Sequence, residues 1–326
     1  LLPSLKVLSE QLDDTRKHLS LILQELNDQY SADPEAAMDG ALTTLAQAEA
    51  LADPALEADC WALIASFHSR NNDLLAALTA YKKQIALLRQ VGDRRNEGHT
   101  LNNMGIALVS LGQFSDANTQ LSEAYKILLQ IGERWGMATS LVFLGMIGGL
   151  RRAYDEALAY MERGLAILRD LNAQSDIGLT LFQQGNVYLR KGKLELAEAV
   201  YTEALAIFIA LNFHSRSIEV QVGLAEVAML NGDLETAYTR LAELLPTLLQ
   251  GRTNDFQQPG LVYYRAIQVM KCFAQSELVR QLSVAFYAHH DAILSRLLEP
   301  IQRDAYVNNI WYHRALVDVD FDARRA

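Results

Sequence analysis

The side chains able to do chemistry are few and scattered along the 326 residues. Seven histidines are present, and His289, His290 and Asp291 form their one cluster. Adjacent helical residues point about 100° apart, so His289 and His290 do not converge easily on one metal ion. The HExxH spacing, which sets two ligands one turn apart, is absent. Cys60 and Cys272 have no local histidine partner to favour a thiolate, and both read as buried structural thiols. There is no GxSxG elbow and no GxxxxGK[ST] phosphate loop. Gly145, Gly148 and Gly149 do not space a dinucleotide loop and fall inside a helical run. We therefore expect no catalytic, cofactor or metal site, which leaves recognition as the function.

Composition narrows the partners. Lysine and arginine number 29 against 39 acidic residues, giving a formal charge of −10. A nucleic-acid surface needs a basic patch to displace counterions, so direct nucleic-acid binding is not expected. Two cysteines without a CxxC motif fit a reducing cytoplasm. No apolar run reaches the roughly 18 residues of a membrane span. The opening LLPSLKVLSE has no initiating Met and no signal-peptide layout, so a fragment or a processed product is expected.

The elements that would position a binding face come from a repeat. Ala37, Ala77, Ala117, Ala157, Ala197 and Ala237 stand forty residues apart. Gly105, Gly145 and Gly185 follow the same step, with Ala65 and Ala225 in the flanking units. A second glycine series, Gly112, Gly192 and Gly232, is interrupted by Asn72 and Arg152. In the unit 96–135, Leu101, Met104, Leu108 and Leu111 make one apolar helix face. Gly112-Gln113 breaks that helix, and Ser115 or Asp116 suits the start of the next. Ala117, Leu121, Ala124 and Leu128 then form a second stripe, which Gly132 stops. A glycine inside a helix costs about 1 kcal/mol against alanine, so three at one register imply a close helix crossing. Helix pairs that cannot bury their own apolar faces stack on their neighbours.

Three regions follow. Residues 1–54 hold N-terminal helices and a degenerate unit, with Asp33-Pro34 and Asp53-Pro54 as helix starts. Residues 55–250 hold five units of forty. Residues 251–326 begin with the polar GRTNDFQQPG and continue as a longer helix pair and a short, kinked capping helix.

The series Leu101, Met104-Gly105, Leu108, Gly112, Ala117, Leu121 and Ala124 resembles the tetratricopeptide consensus, as do Gly185, Tyr188, Gly192, Ala197, Tyr201 and Ala204. The period is longer than the consensus 34, and the unit-ending proline is missing. The resemblance implies an all-α fold: a right-handed α-solenoid of antiparallel helix pairs with a C-terminal helical cap. Long units of this kind are similar to the sensor arms of bacterial STAND-type ATPase regulators. The tail with Arg303, Val307, Asn308 and His313-Arg314 resembles the one that closes such arms. In those proteins ATPase or effector domains lie N-terminal to the arm.

The family's groove-facing positions map onto the first helix of each unit. They are His99, Asn102, Asn103 and Ile106; Thr139 and Phe143; Phe182, Gln183, Asn186 and Arg190; and Glu219 and Glu226. Amides can pair with an extended backbone, and aromatics bury large areas at low entropy cost. Phe143 and Phe182 can equally tuck into the core. The function implied is a non-catalytic protein- or peptide-binding module, the sensor or interaction arm of a larger bacterial signalling or transcription regulator. The alternative is a stand-alone signalling-peptide receptor or scaffold.

Overall fold

A computed structural model describes residues 2–29, 33–251 and 256–319. Among these residues the secondary structure is entirely helical. Helices α1 (Leu2–Gln29) and α2 (Pro34–Ala50) come first. Five pairs follow: α3 (Pro54–Arg70) and α4 (Leu74–Val91), α5 (Arg94–Ser110) and α6 (Phe114–Ile131), α7 (Arg134–Leu150) and α8 (Tyr154–Asp170), α9 (Gln174–Arg190) and α10 (Leu194–Ala210), α11 (His214–Leu230) and α12 (Leu234–Leu248). Then come α13 (Pro259–Lys271), α14 (Ser276–Arg296), the short α15 (Pro300–Asp304), a π-helical turn (Ala305–Asn309) and α16 (Trp311–Val319). No described helix is long and apolar enough to cross a membrane.

From α3 to α12 a helix starts every twenty residues. The reason is one turn used repeatedly. Its middle residue is left-handed: Asn72 at φ 56°, Gly112 at 71°, Arg152 at 66°, Asn172 at 54°, Gly192 at 74° and Asn212 at 57° are examples. The next N–H then bonds the carbonyl five residues back, as from Gln113 to Leu108 and from Ala153 to Gly148. This pattern satisfies the helix's last carbonyls and stops it at a fixed length. Asp53, Asp73, Asp93, Glu133 and Asp233 also cap the following helix with their carboxylates. Gln113, Ala153, Ala173, Lys193 and Phe213 hold the same position without a side-chain cap, so the turn and not the cap sets the spacing.

The small-residue series sits where the helices of a pair cross. A Cβ on Gly145 would lie 2.7 Å from Met161 Cγ and 2.8 Å from the Ala157 carbonyl oxygen. One on Gly185 would lie 2.3 Å from the Tyr201 ring. Ala117, Ala157, Ala197 and Ala237 are wholly buried. The first helices of neighbouring pairs also touch one another, α5 on α7, α7 on α9 and α9 on α11. The array therefore curves with the first helices on its inner face.

The last helices return along that inner face. Helix α13 packs on α11, and α16 packs on α13. Asn309 Nδ2 donates to the Gly112 carbonyl at 2.9 Å, and Arg296 Nη1 reaches the Asn72 carbonyl at 3.5 Å. Tyr306, Ile310 and Tyr312 belong to one hydrophobic core with Leu74, Val109 and Met146. The curved array is thus closed by its own final helices against the turns of its first two pairs.

The thiols differ from expectation in one respect. Cys60 is buried, and burial aided by nearby Asp59 and Glu57 pushes its pKa up to about 12. Cys272 is exposed, because it is the C-cap of α13 where the chain turns toward α14.

Two substitutions test this account. Gly145→Leu should lower unfolding stability by about 1–3 kcal/mol, since Ala157 backbone cannot yield to the added side chain. Arg152→Gly should raise it by about 0.5–1 kcal/mol, the relief of a left-handed side-chain conformation less glycine's entropy cost. Urea unfolding of both variants measures the two signs, and an unchanged Gly145→Leu would remove the stated reason for the glycine series.

Candidate binding site on the inner face

A polar relay runs across the inner face beneath the returning helices. Asn186, one turn after Gln183 on α9, donates from Nδ2 to Gln183 Oε1 at 3.0 Å. Gln258, at the N-cap of α13, donates to the same oxygen at 3.3 Å. The Tyr201 hydroxyl donates to Asn186 Oδ1 at 2.7 Å and accepts from Arg265 Nη2 at 3.0 Å. Arg265 Nε donates to Glu226 at 2.6 Å. Both members of this ion pair are buried, so each charge depends on the other for solvation. Burial raises the Tyr201 pKa to about 12, which keeps the hydroxyl protonated as the donor this relay needs.

A second carboxylate fixes the start of α13. Glu219 accepts from the backbone N–H groups of Gln257 and Gln258 at 2.8 and 3.0 Å, and from Arg216 at 2.9 Å. Two cavities remain beside this scaffold. One of about 300 Å³ is lined by Ile106, Ser110, Met146, Arg216, Gln258, His289 and Tyr312, among others. The other, about 40 Å³, lies between Gln183, Asn186 and Arg190 on one side and Gln258, Arg265, Trp311 and Tyr312 on the other. Arg190 stacks on Trp311, 3.8 Å from the ring centre.

The residues expected at the groove fall into three settings. Gln183, Asn186, Arg190 and Glu226 come together in the relay or at its cavity, and Glu219 anchors α13 next to it. Asn102 is buried between helices, donating to the Gly136 carbonyl at 2.9 Å and accepting from Ser140 at 2.7 Å. Phe143 and Phe182 are buried in the core, Phe182 beside the Tyr201 ring at 5.9 Å. His99 lies 5.5 Å from the Trp135 ring and 3.6 Å from Glu133. Asn103 is exposed, Ile106 lines the larger cavity, and Thr139 bonds the Trp135 carbonyl of its own helix. Sequence reasoning did not find Gln258, Arg265, Trp311 and Tyr312. Their one signal was the aromatic run at 311–312 in a short last helix, where a solvated cap would be polar.

Two histidines beside the larger cavity are held neutral. Burial drops His289 to about 4 and His313 to about 3. His313 Nδ1 lies 2.9 Å from the Tyr306 carbonyl, an acceptor, so this nitrogen carries the proton. Among the described residues no group of three possible metal ligands occurs.

Comparison with known proteins fits this architecture. Residues 56–130 and 136–210 each match the tetratricopeptide-repeat family model, so this stretch of the chain is built of tetratricopeptide repeats. Among curated proteins none matches the chain in sequence. Solved structures share the fold at low identity. A Rap protein complexed with competence and sporulation factor is 14% identical with a TM-score of 0.63, over 97% of this chain and 99% of that one. NprR in complex with its cognate peptide NprX is 15% identical with a TM-score of 0.59, over 98% and 94%. A STAND protein with a tetratricopeptide-repeat sensor from Pyrococcus horikoshii is 16% identical with a TM-score of 0.57, over 96% of this chain but 45% of that one.

Two outcomes are expected. Glu226→Gln should destabilise by about 3–5 kcal/mol, because it leaves the Arg265 charge buried without its partner. Chemical denaturation measures this. His313 is depressed from an ordinary 6.5 to about 3, so below pH 6.5 the unfolded chain takes up a proton that the folded chain refuses. Stability should therefore fall between pH 7 and pH 5, by about 2 kcal/mol from this group alone. A His313→Asn variant, which keeps a donor for Tyr306, should show a correspondingly smaller loss. Equal losses in both proteins would mean that the imidazole titrates normally.

Proposed function

We propose that the chain is a non-catalytic binding module that takes a peptide or a segment of a partner protein on its inner face. The observation that carries this reading is the row Gln183, Asn186 and Arg190, which lines a cavity at the centre of the curved array. The expected groove positions on α5, α7, α9 and α11 form the proposed partner face, with Asn103 and Ile106 extending it along α5. The ordered relay beneath the row supports recognition, since it holds amides and a guanidinium in fixed positions without spending side-chain entropy at binding. The Rap protein is complexed with competence and sporulation factor and NprR with its cognate peptide NprX, and a peptide held by this fold is consistent with both. Its place is in the cytoplasm, without direct nucleic-acid contact, as the interaction or sensor arm of a bacterial signalling protein that carries linked ATPase or effector domains.

A stand-alone peptide receptor is the second reading. It is favoured by the similarity over nearly the whole of the Rap and NprR chains. In either case a bound peptide acts by favouring one curvature of the array over another.

A pool of random octapeptides, incubated with the full chain and read by native mass spectrometry, tests the proposal. The wild type should retain a subset of the pool. An Asn186→Ala, Arg190→Ala double variant should retain at least tenfold less while keeping its helical fold, at a lowered melting temperature because the buried Tyr201 hydroxyl loses its acceptor. Undiminished retention by the double variant would move the site off this face, and no retention by the wild type would contradict peptide recognition.

A further inference from the structure

The charge lining the two cavities has the opposite sign to the chain. The formal net charge is −10, yet neither lining contains an aspartate or a glutamate. Their ionisable basic groups are Arg70, Arg190, Arg216, Arg265, His289 and His313. Glu219 and Glu226 neutralise Arg216 and Arg265 from behind the walls, and the two histidines are neutral. Arg190 has no carboxylate partner among the ion pairs of the described residues. Its guanidinium face covers Trp311, an arrangement that leaves the in-plane N–H donors available.

Gln183 adds a second donor. The residue is 3% exposed, and its Nε2 has no hydrogen-bond partner. The amide cannot be turned around to repair this. Its Oε1 already accepts from Asn186 Nδ2 and Gln258 Nε2, and a flipped amide would set donor against donor. A buried amide donor and a guanidinium without a carboxylate thus line one small space, beside a larger cavity of about 300 Å³.

Resting on the reading of the inner face as a binding site, the geometry points to a ligand that presents a carboxylate to Gln183 and Arg190 beneath Trp311. A carboxylate accepts only, so it suits both donors at once, and Arg offers it two parallel N–H bonds. Carboxylate-free walls in an acidic protein also focus a positive potential on the cavity and draw an anion inward. Size restricts the ligand further. The returning helices fill most of the inner face, and about 300 Å³ is at the small end of ligand pockets. That space suits a small organic acid or the last few residues of a peptide, and not a long extended segment.

The test uses the full chain with three probe sets: random tetrapeptides with a free C-terminal carboxylate, the same pool with C-terminal amides, and the small acids citrate, succinate and glutamate. Binding is read by native mass spectrometry and by the rise in melting temperature. Free-acid tetrapeptides or small acids should bind, and amidated peptides should bind only where they contain Asp or Glu. Tetrapeptide binding assigns the carboxylate to a peptide, whereas binding of small acids alone supports the carboxylate site and overturns the peptide reading. Arg190→Gln should weaken binding at least tenfold, Arg190→Lys should restore only part of it because an ammonium keeps the charge but not the paired N–H bonds, and wild-type affinity should fall as salt is added. Equal binding of neutral amidated and free-acid peptides, or affinity independent of salt, would overturn the carboxylate site while leaving peptide recognition standing. Absence of binding by every probe would remove both.

Discussion

The structure depends on one three-residue turn. Wherever its middle residue adopts a left-handed conformation, the preceding helix ends and the next begins after a fixed number of residues. Repetition from Ala52 to Gly232 makes every helix from α3 to α11 the same length within a residue. Equal helices meet at equal crossings, which is why a glycine or alanine is needed at the same register in each pair. A solenoid built in this way inherits its curvature from its unit, since each pair contacts only its neighbours. The inner face, its radius and the room left within it are consequences of that local geometry.

Closure is the second level of organisation, and it is not periodic. Helices α13 and α14, the π-helical turn and α16 bring Gln258, Arg265, Trp311 and Tyr312 onto α9 and its neighbours. The contacts that seat them are specific rather than merely apolar. Glu219 takes three donors around the start of α13, and Glu226 takes Arg265. Buried ion pairs contribute little net stability compared with apolar packing, but a mispaired alternative strands a charge. Their value here is to fix how α13 sits against α11 and α9, and with that the shape of the cavities.

The repeat was legible in the sequence because sterics restrict the crossing to Gly and Ala, so the forty-residue step survives in residue identity. The turn series was only partly legible. Gly112, Gly192 and Gly232 betray it, but Asn72, Asn172, Asn212, Arg152 and Ala52 adopt the same conformation under other names. Asparagine tolerates the left-handed region through local hydrogen bonding, and one strained arginine is tolerated where its neighbours determine the turn. The function of individual groove residues was harder to read. Asn102 and Asn186 occupy comparable faces, yet one clips two helices together through Ser140 while the other joins the relay beside the cavity. Nothing in residue type separates these roles, because the partner that decides them lies on another helix. The return of the last helices was the least legible, since Asn309 meets Gly112 at a separation of 197 residues with no pattern connecting them.

The central claim is that the inner face is bounded by the chain's own last helices. Amide hydrogen exchange of the ligand-free protein tests it most directly. Seated as described, the amides of His313 and Arg314, which bond the Ile310 carbonyl, should exchange as slowly as those of α9 and α11 and lose that protection only with global unfolding. Exchange of this segment at the rate of a free peptide, while α9 and α11 stay protected, would contradict the closed array and the cavities that depend on it.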